Sequence, residues 1–203
     1  MCDRKFKTHA NVMFTQREGE LIMAKPGKRY VIADTHFNHA NICKFLDSDG
    51  NKLRPWNDVN EMNEALIENW NRVVKPEDTV YILGDVAMNR TGLQLIARCN
   101  SNNKILIKGN HCNEKLKYYV DLFTDIRAVD AKYMFGCHFV MTHCPIHPGS
   151  IERWGLNICG HLHNNYVKLP DGTPDLRYYV ASVERINYTP KLIEEILHER
   201  HLL

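Results

Sequence analysis

With 203 residues the chain has the length of one large domain, able to bury about 70% of the surface its unfolded form exposes. Its 26 Lys and Arg against 24 Asp and Glu leave a net charge of +2, which argues against a sequence-independent nucleic-acid binder but not against a nucleotide or a nucleic-acid end as substrate. Seven scattered cysteines without a C-x-x-C pair exclude a disulfide framework and a structural zinc site, and the absence of any signal-like or membrane-spanning apolar stretch leads us to expect a cytoplasmic protein with no membrane partner.

In chain order, residues 1–28 close with the turn Lys25-Pro26-Gly27-Lys28 and are expected to form an edge hairpin or an appendage to a single domain spanning 1–203. Short apolar runs predict strands at 29–34, 80–85, 104–110, 156–161 and 177–183, and a hairpin across 127–142 that turns near Phe135-Gly136. The clearest helix starts at Asp58, an N-cap three residues before Glu61. Met62, Ala65, Leu66, Trp70, Val73 and Val74 then recur at helical spacing until Pro76 ends the run. Further helices are expected over 91–99, 113–122 and 190–202, the last opening with Thr189-Pro190 as N-cap and first turn. Alternating strands and helices followed by a hairpin predict an α/β layered domain with a mixed sheet.

Five of the predicted strands end alike. Tyr30-Val31-Ile32-Ala33 runs into Asp34-Thr35-His36, and Val80–Leu83 into Gly84-Asp85. Ile105–Ile107 runs into Gly109-Asn110-His111, Phe139–Met141 into Thr142-His143, and Leu156–Cys159 into Gly160-His161-Leu162-His163. Each motif alone is ordinary turn chemistry. Five in order place their side chains where open α/β sheets bind ligands, in the crevice at the strands' carboxyl ends. Asp34, His36, Asp85, Asn110, His143, His161 and His163 offer oxygen and imidazole donors, too many for one ion and suited to two that share a carboxylate. Manganese is the first expectation, with iron, zinc or nickel as alternatives.

The order D-x-H, G-D, G-N-H, H, G-H-x-H resembles the calcineurin-like metallophosphoesterase superfamily. The stretches DTHFNHANI, RPW and DTVYILGDVAM resemble a small stand-alone subgroup of bacteria and their phages. The resemblance implies a four-layer αββα sandwich of two mixed sheets flanked by helices, with a binuclear metal centre at the C-terminal ends of the strands. It implies that Asp34, His36, Asp85 and His163 hold one ion, that Asp85, Asn110, His143 and His161 hold the other, and that a metal-bound hydroxide is the nucleophile. His111 would be the catalytic residue and, with Asn110, would meet the substrate. The chain lacks the second Asp and the following Arg-Gly of the protein phosphatases after Gly84-Asp85, which turns the expectation away from that line.

His39, one loop step past the first motif, is read either as a substrate-pocket residue or as a cap on the next helix. Arg54 is read as a phosphate contact or an exposed surface arginine. Cys112 and Cys144 neighbour site residues but are not needed as nucleophiles. The expected activity is hydrolysis of a phosphoester, with phosphodiesters such as small nucleotides or nucleic-acid ends favoured. The alternatives are a phosphomonoesterase and a non-catalytic metal-binding interaction module of the same fold.

Overall fold

The computed structural model describes residues 27–203, so the expectation for residues 1–26 lies outside the described residues. A five-stranded sheet has the order β4-β3-β2-β1-β9, and a four-stranded sheet the order β5-β6-β7-β8. In the first, β1 (Arg29–Ile32), β2 (Thr79–Ile82), β3 (Asn103–Ile107) and β4 (Asp125–Arg127) run parallel, and β9 (Lys191–Leu192) joins β1 antiparallel. In the second, β5 (Asp130–Met134) pairs antiparallel with β6 (Cys137–Met141), while β6, β7 (Asn157–Cys159) and β8 (Tyr178–Val180) are parallel. Both sheets are therefore mixed, as expected, and both are flanked by helices.

Strand alternation sends successive side chains to two separate cores. Tyr30, Ile32, Val80, Ile82 and Leu106 face the helical layer, where Met62, Leu66, Ile67 and Trp70 of α1 (Val59–Val73) meet Leu93 of α2 (Arg90–Gln94). Val31, Ala33, Tyr81, Leu83, Ile105 and Ile107 face the second sheet and pack against Phe139, Met141 and Ile158. α4 (Ile193–Glu199) adds Ile193, Ile196 and Leu197 to that inter-sheet core. The helical layer on the second sheet is thin. Among the described residues its helix there is the four-residue α3 (Pro148–Ile151), whose loop is tied to the outer face through Ile146 N–H to Asn157 Oδ1 (3.0 Å) and Tyr178 O–H to the Ile146 carbonyl (2.8 Å).

Asp58 caps α1 as expected, accepting the N–H groups of Asn60 (2.8 Å) and Glu61 (3.2 Å). The hairpin turns at Phe135-Gly136, both with positive φ. Two expectations are corrected. Residues 113–122 hold no α-helix, only a 3-10 turn at Leu116–Tyr118. Thr189-Pro190 does not open the last helix. Lys191 and Leu192 pair with Val31 and Tyr30, and the helix starts after Leu192. Pro190 starts an edge strand here instead of a helix, because the unpaired side of β1 recruits the two residues that follow it.

Candidate metal centre

The strands stop short of the motif residues, and five of those residues adopt a conformation no strand allows. Asp34 (φ 58°), His36 (φ 48°), Asp85 (φ 49°), His161 (φ 70°) and His163 (φ 51°) all lie in the left-handed region. Non-glycine residues seldom sit there, at a cost of about 1–3 kcal/mol each in the less populated regions, and such strain gathers at functional sites. Five of the seven expected ligands share it. The crowding also explains two glycines. A Cβ on Gly84 would lie 2.5 Å from His143 Nδ1, and one on Gly160 would lie 2.8 Å from Asp34 Oδ2.

The structure brings all seven expected ligands to one place, in two connected groups. Ligand-competent atoms of Asp34, His36 and His163 lie within 4.8 Å of one another, as do those of Asp34, Asp85 and His143. Asp85 Oδ2 sits between the two groups, 3.8 Å from His36 Nε2 and 3.3 Å from His143 Nε2. Asn110 Oδ1 faces His143 Nε2 at 2.7 Å and His161 Nδ1 at 3.0 Å. The floor is closed, with Asp34, His36, Asp85 and His143 buried, and the rim is open, with Asn110, His111 and His161 exposed.

Outer hydrogen bonds decide which atoms remain for an ion. Asp34 Oδ2 accepts from the Ser182 hydroxyl (2.6 Å) and the His161 N–H (2.8 Å), leaving Oδ1 buried with no partner. Asp85 Oδ1 accepts the His111 N–H (2.8 Å), leaving Oδ2 toward the centre. His143 Nδ1 faces the Leu83 carbonyl (2.8 Å) and so must carry a proton, which leaves Nε2 inward. His163 Nδ1 likewise faces Glu184 Oε1 (3.0 Å), the carboxylate–histidine pairing common behind metal ligands.

The electrostatics fit a cation. Burial pushes the Asp34 carboxyl up to about 6, and burial together with the Arg54 charge pushes His36 down to about 2, so His36 is a neutral imidazole. Both His36 nitrogens, like Asp34 Oδ1, are buried without a hydrogen-bond partner. Leaving such groups unmatched costs free energy, which a bound divalent ion would recover. Burial opposes protonation of His143 and His163, yet Asp85, the Leu83 carbonyl and Asp34 together raise the first, and Glu184 with Asp34 raises the second. The field that draws protons to these imidazoles draws cations equally. The residues present thus fit two divalent ions.

Several residues fall differently from expectation. Arg54 is not a phosphate contact, since its side chain is wholly buried beneath the first motif. It donates to the carbonyls of Asp34 (2.6 Å) and Thr35 (2.8 Å) and pairs with the buried Glu184 (2.8 Å). His39 caps the 3-10 turn at Ala40–Lys44, Nδ1 accepting the Ile42 N–H at 3.1 Å, while its ring stays 5.5 Å from that of His36 at the rim. Cys144 was left out of the ligand set, yet its thiol lies with the His143 and His161 nitrogens, all within 4.8 Å of one another. Cys112 is buried and accepts the Gly109 N–H at 3.4 Å, a support for the G-N-H loop. Sequence reasoning missed Glu184 and Ser182. Ser182 closes the predicted run 177–183 from within and Glu184 follows it directly, so that sixth strand end was the signal available.

No family model matches the chain. It is 34% identical over 175 residues to an uncharacterized protein of Methanocaldococcus jannaschii, MJ1445, covering 84% of this chain and 89% of that one. The crystal structure of AQ665 from Aquifex aeolicus, a protein of unknown function, superposes with a TM-score of 0.65 at 24% identity, over 85% of this chain and 99% of that chain, and shares the fold. A structure described as a novel archaeal phosphodiesterase overlaps with a TM-score of 0.45 at 20% identity, over 76% of this chain and 82% of that chain, too slight a likeness to bear on activity. Among the described residues no helix is long and apolar enough to cross a membrane. The match to MJ1445 makes this chain a member of the same protein family.

Proposed function

We propose that the chain is a calcineurin-like, dimetal phosphoester hydrolase that favours phosphodiesters. The observation that supports this most is the pairing of orphaned buried donors with an open rim. Asp34 Oδ1 and both His36 nitrogens lack partners on the floor, while exposed Asn110, His111 and His161 leave room above it for a substrate.

Asp34, His36, Asp85 and His163 would hold one ion, and Asp85, Asn110, His143 and His161 the other, with Asp85 Oδ2 shared. Two divalent ions supply Lewis-acid polarisation of phosphoryl oxygens and lower the pKa of water to about 7. The chain itself supplies position and protons. Leu83 and Glu184 fix the tautomers of His143 and His163, so both rings present Nε2. The His111 backbone is anchored to Asp85 Oδ1, and its ring lies 5.5 Å from that of His36, exposed at the rim. From there the imidazole can give a proton to the departing oxygen, a contribution of about 10²–10⁴-fold in typical acid catalysis. An unactivated alkoxide needs such a proton as it departs, and the open rim at Asn110, His111 and His161 leaves room for the second ester substituent of a diester, which is the ground for favouring diesters.

The test is turnover of bis-p-nitrophenyl phosphate beside p-nitrophenyl phosphate by metal-stripped protein resupplied with Mn²⁺, Ni²⁺, Zn²⁺ or Mg²⁺. Metal-dependent cleavage with preference for the diester is the expected result. Preference for the monoester would make it a phosphatase. Stoichiometric binding of two ions with no turnover of either ester would overturn the enzyme reading in favour of a metal-binding interaction module.

A further inference from the structure

A cleft of about 680 Å³ opens directly beside the metal centre, and His161 and His163 form part of its wall. Ligand pockets typically span about 300–1,000 Å³. The far wall is a ribbon. Leu169 N–H bonds the Thr173 carbonyl (2.8 Å), Asp175 N–H bonds the Val167 carbonyl (2.8 Å), and Lys168 bridges to Pro174, with Gly172 at the turn. Strand alternation puts Tyr166 and Lys168 on the same face, and that face lines the cleft, while Leu169 and Thr173 line a separate cavity on the other side. Arg185, one residue past Glu184, completes the wall.

Two cations stand beside the Tyr166 ring. The Lys168 ammonium lies 5.5 Å and the Arg185 guanidinium 5.7 Å from its ring centroid, both within cation–π range. That contact restrains the ring before any ligand arrives, so less rotamer entropy is lost on binding. Asp47 and Asp49 also line the cleft, in a tight turn where Asp47 Oδ1 accepts the N–H groups of Asp49 (3.0 Å) and Asn51 (2.9 Å), which leaves the Asp49 carboxylate as the acceptor. The cleft thus carries cations, a flat aromatic and a carboxylate acceptor. A simple anion needs no aromatic platform, and an alkyl chain needs no charges. A nucleotide uses all three: its base stacks, its backbone phosphate meets the cations, and its N–H or ribose O–H groups reach the acid.

We infer that this cleft is a nucleoside subsite, with Tyr166 as its stacking platform, and that the substrates are phosphodiesters of nucleotides. The inference rests on the hydrolase reading above. It assigns a specificity role to Tyr166, Lys168 and Arg185, none of which contributes to the metal centre.

The experiment compares two esters that release the same p-nitrophenolate: the p-nitrophenyl ester of thymidine 5′-monophosphate and methyl p-nitrophenyl phosphate. In both, water oxygen bonds to phosphorus as the phenolate oxygen leaves, so only the nucleoside differs. In the Mn²⁺-loaded protein, kcat/KM should favour the nucleoside ester by about tenfold or more, and Tyr166→Ala should cut that ratio by about tenfold. Tyr166→Phe should keep it, since stacking needs the ring and not the hydroxyl. Calorimetric binding of thymidine 5′-monophosphate runs the same comparison without turnover, with Tyr166→Ala weakening the affinity about tenfold. An unchanged ester ratio in Tyr166→Ala overturns the subsite even if both esters are cleaved. If neither ester is cleaved the hydrolase reading fails, and the calorimetry then decides the subsite alone: equal affinity in the variant sinks it.

Discussion

Arg54 offers the sharpest test of how the metal centre is held. Its guanidinium is fully buried and has three oxygen acceptors, the Asp34 carbonyl, the Thr35 carbonyl and the Glu184 carboxylate, besides a contact to the Met62 sulfur. Glu184 in turn holds His163. Arg54→Met leaves Glu184 as a buried carboxylate without its cation and strips two carbonyls of their donors. Breaking a buried pair from one side costs about 3–5 kcal/mol, and for a domain of this size each kcal/mol lowers Tm by roughly 2–4 °C, so Tm should fall by about 6–20 °C. Arg54→Lys keeps the charge but cannot reach three acceptors in different directions, and should recover only part of the loss. The double variant Arg54→Met/Glu184→Gln should cost clearly less than the sum of its single changes, because the uncompensated charge is gone. Thermal and urea unfolding of the metal-stripped protein measure all four. If Arg54→Met costs under 1 kcal/mol, or the double variant is simply additive, the pair does not hold the first motif in place.

Three further outcomes are expected. Asp85→Asn should lower the content of both ions together, as read by elemental analysis after dialysis, because Oδ2 faces both groups; loss of one ion alone would contradict the shared role. His111→Ala should bind two ions with near-normal stoichiometry yet lose about 10²–10⁴-fold in kcat on a diester, and more of it on poor leaving groups than on p-nitrophenolate. Asp175 lies far from the centre and accepts Arg177 hydrogen bonds at 2.6 Å and 3.0 Å, which hold its carboxyl below the ordinary range. A lowered folded-state pKa adds stability above the unfolded value of about 3.9 that is lost as pH falls through the folded one. Asp175→Asn should therefore cost about 1 kcal/mol at pH 7, with the partner half-exposed, and the gap in urea midpoint should close as pH drops below about 4. A gap that widened in acid would reverse the assignment.

The seven expected ligands were legible because each follows an apolar run, and the fold delivers strand ends to one crevice. Their supports were not. Ser182 reaches Asp34 across 148 residues and Glu184 reaches Arg54 across 130, separations on which local pattern is silent. Arg54 follows Lys52 and Leu53 in a loop, a setting that reads as solvent; only the tertiary pairing with Glu184 makes burial affordable for it. β4 and β9 are three and two residues long, too short for an alternation to show. The two-sheet division was legible only through the resemblance, since the residues alone predict one mixed sheet and the chain forms two.

Ala33, the residue between β1 and the first expected ligand, ties its own sheet to the other. Its N–H bonds the Ala181 carbonyl (2.8 Å), its carbonyl accepts from Val183 (3.1 Å), and it bridges to Ser182 beyond β8. Asp34 then takes hydrogen bonds from Ser182 and His161, both of the second sheet's strand ends, while Asp85 comes from the first. The ligands straddle a seam. An ion that binds them acts as a rivet through two plates, and loading it should resist shear between the sheets as well as fix a few side chains. Amide exchange along the Ala33–Ser182 junction should therefore slow on metal addition more than exchange in the middle of either sheet, making the seam a gauge of occupancy that needs no substrate.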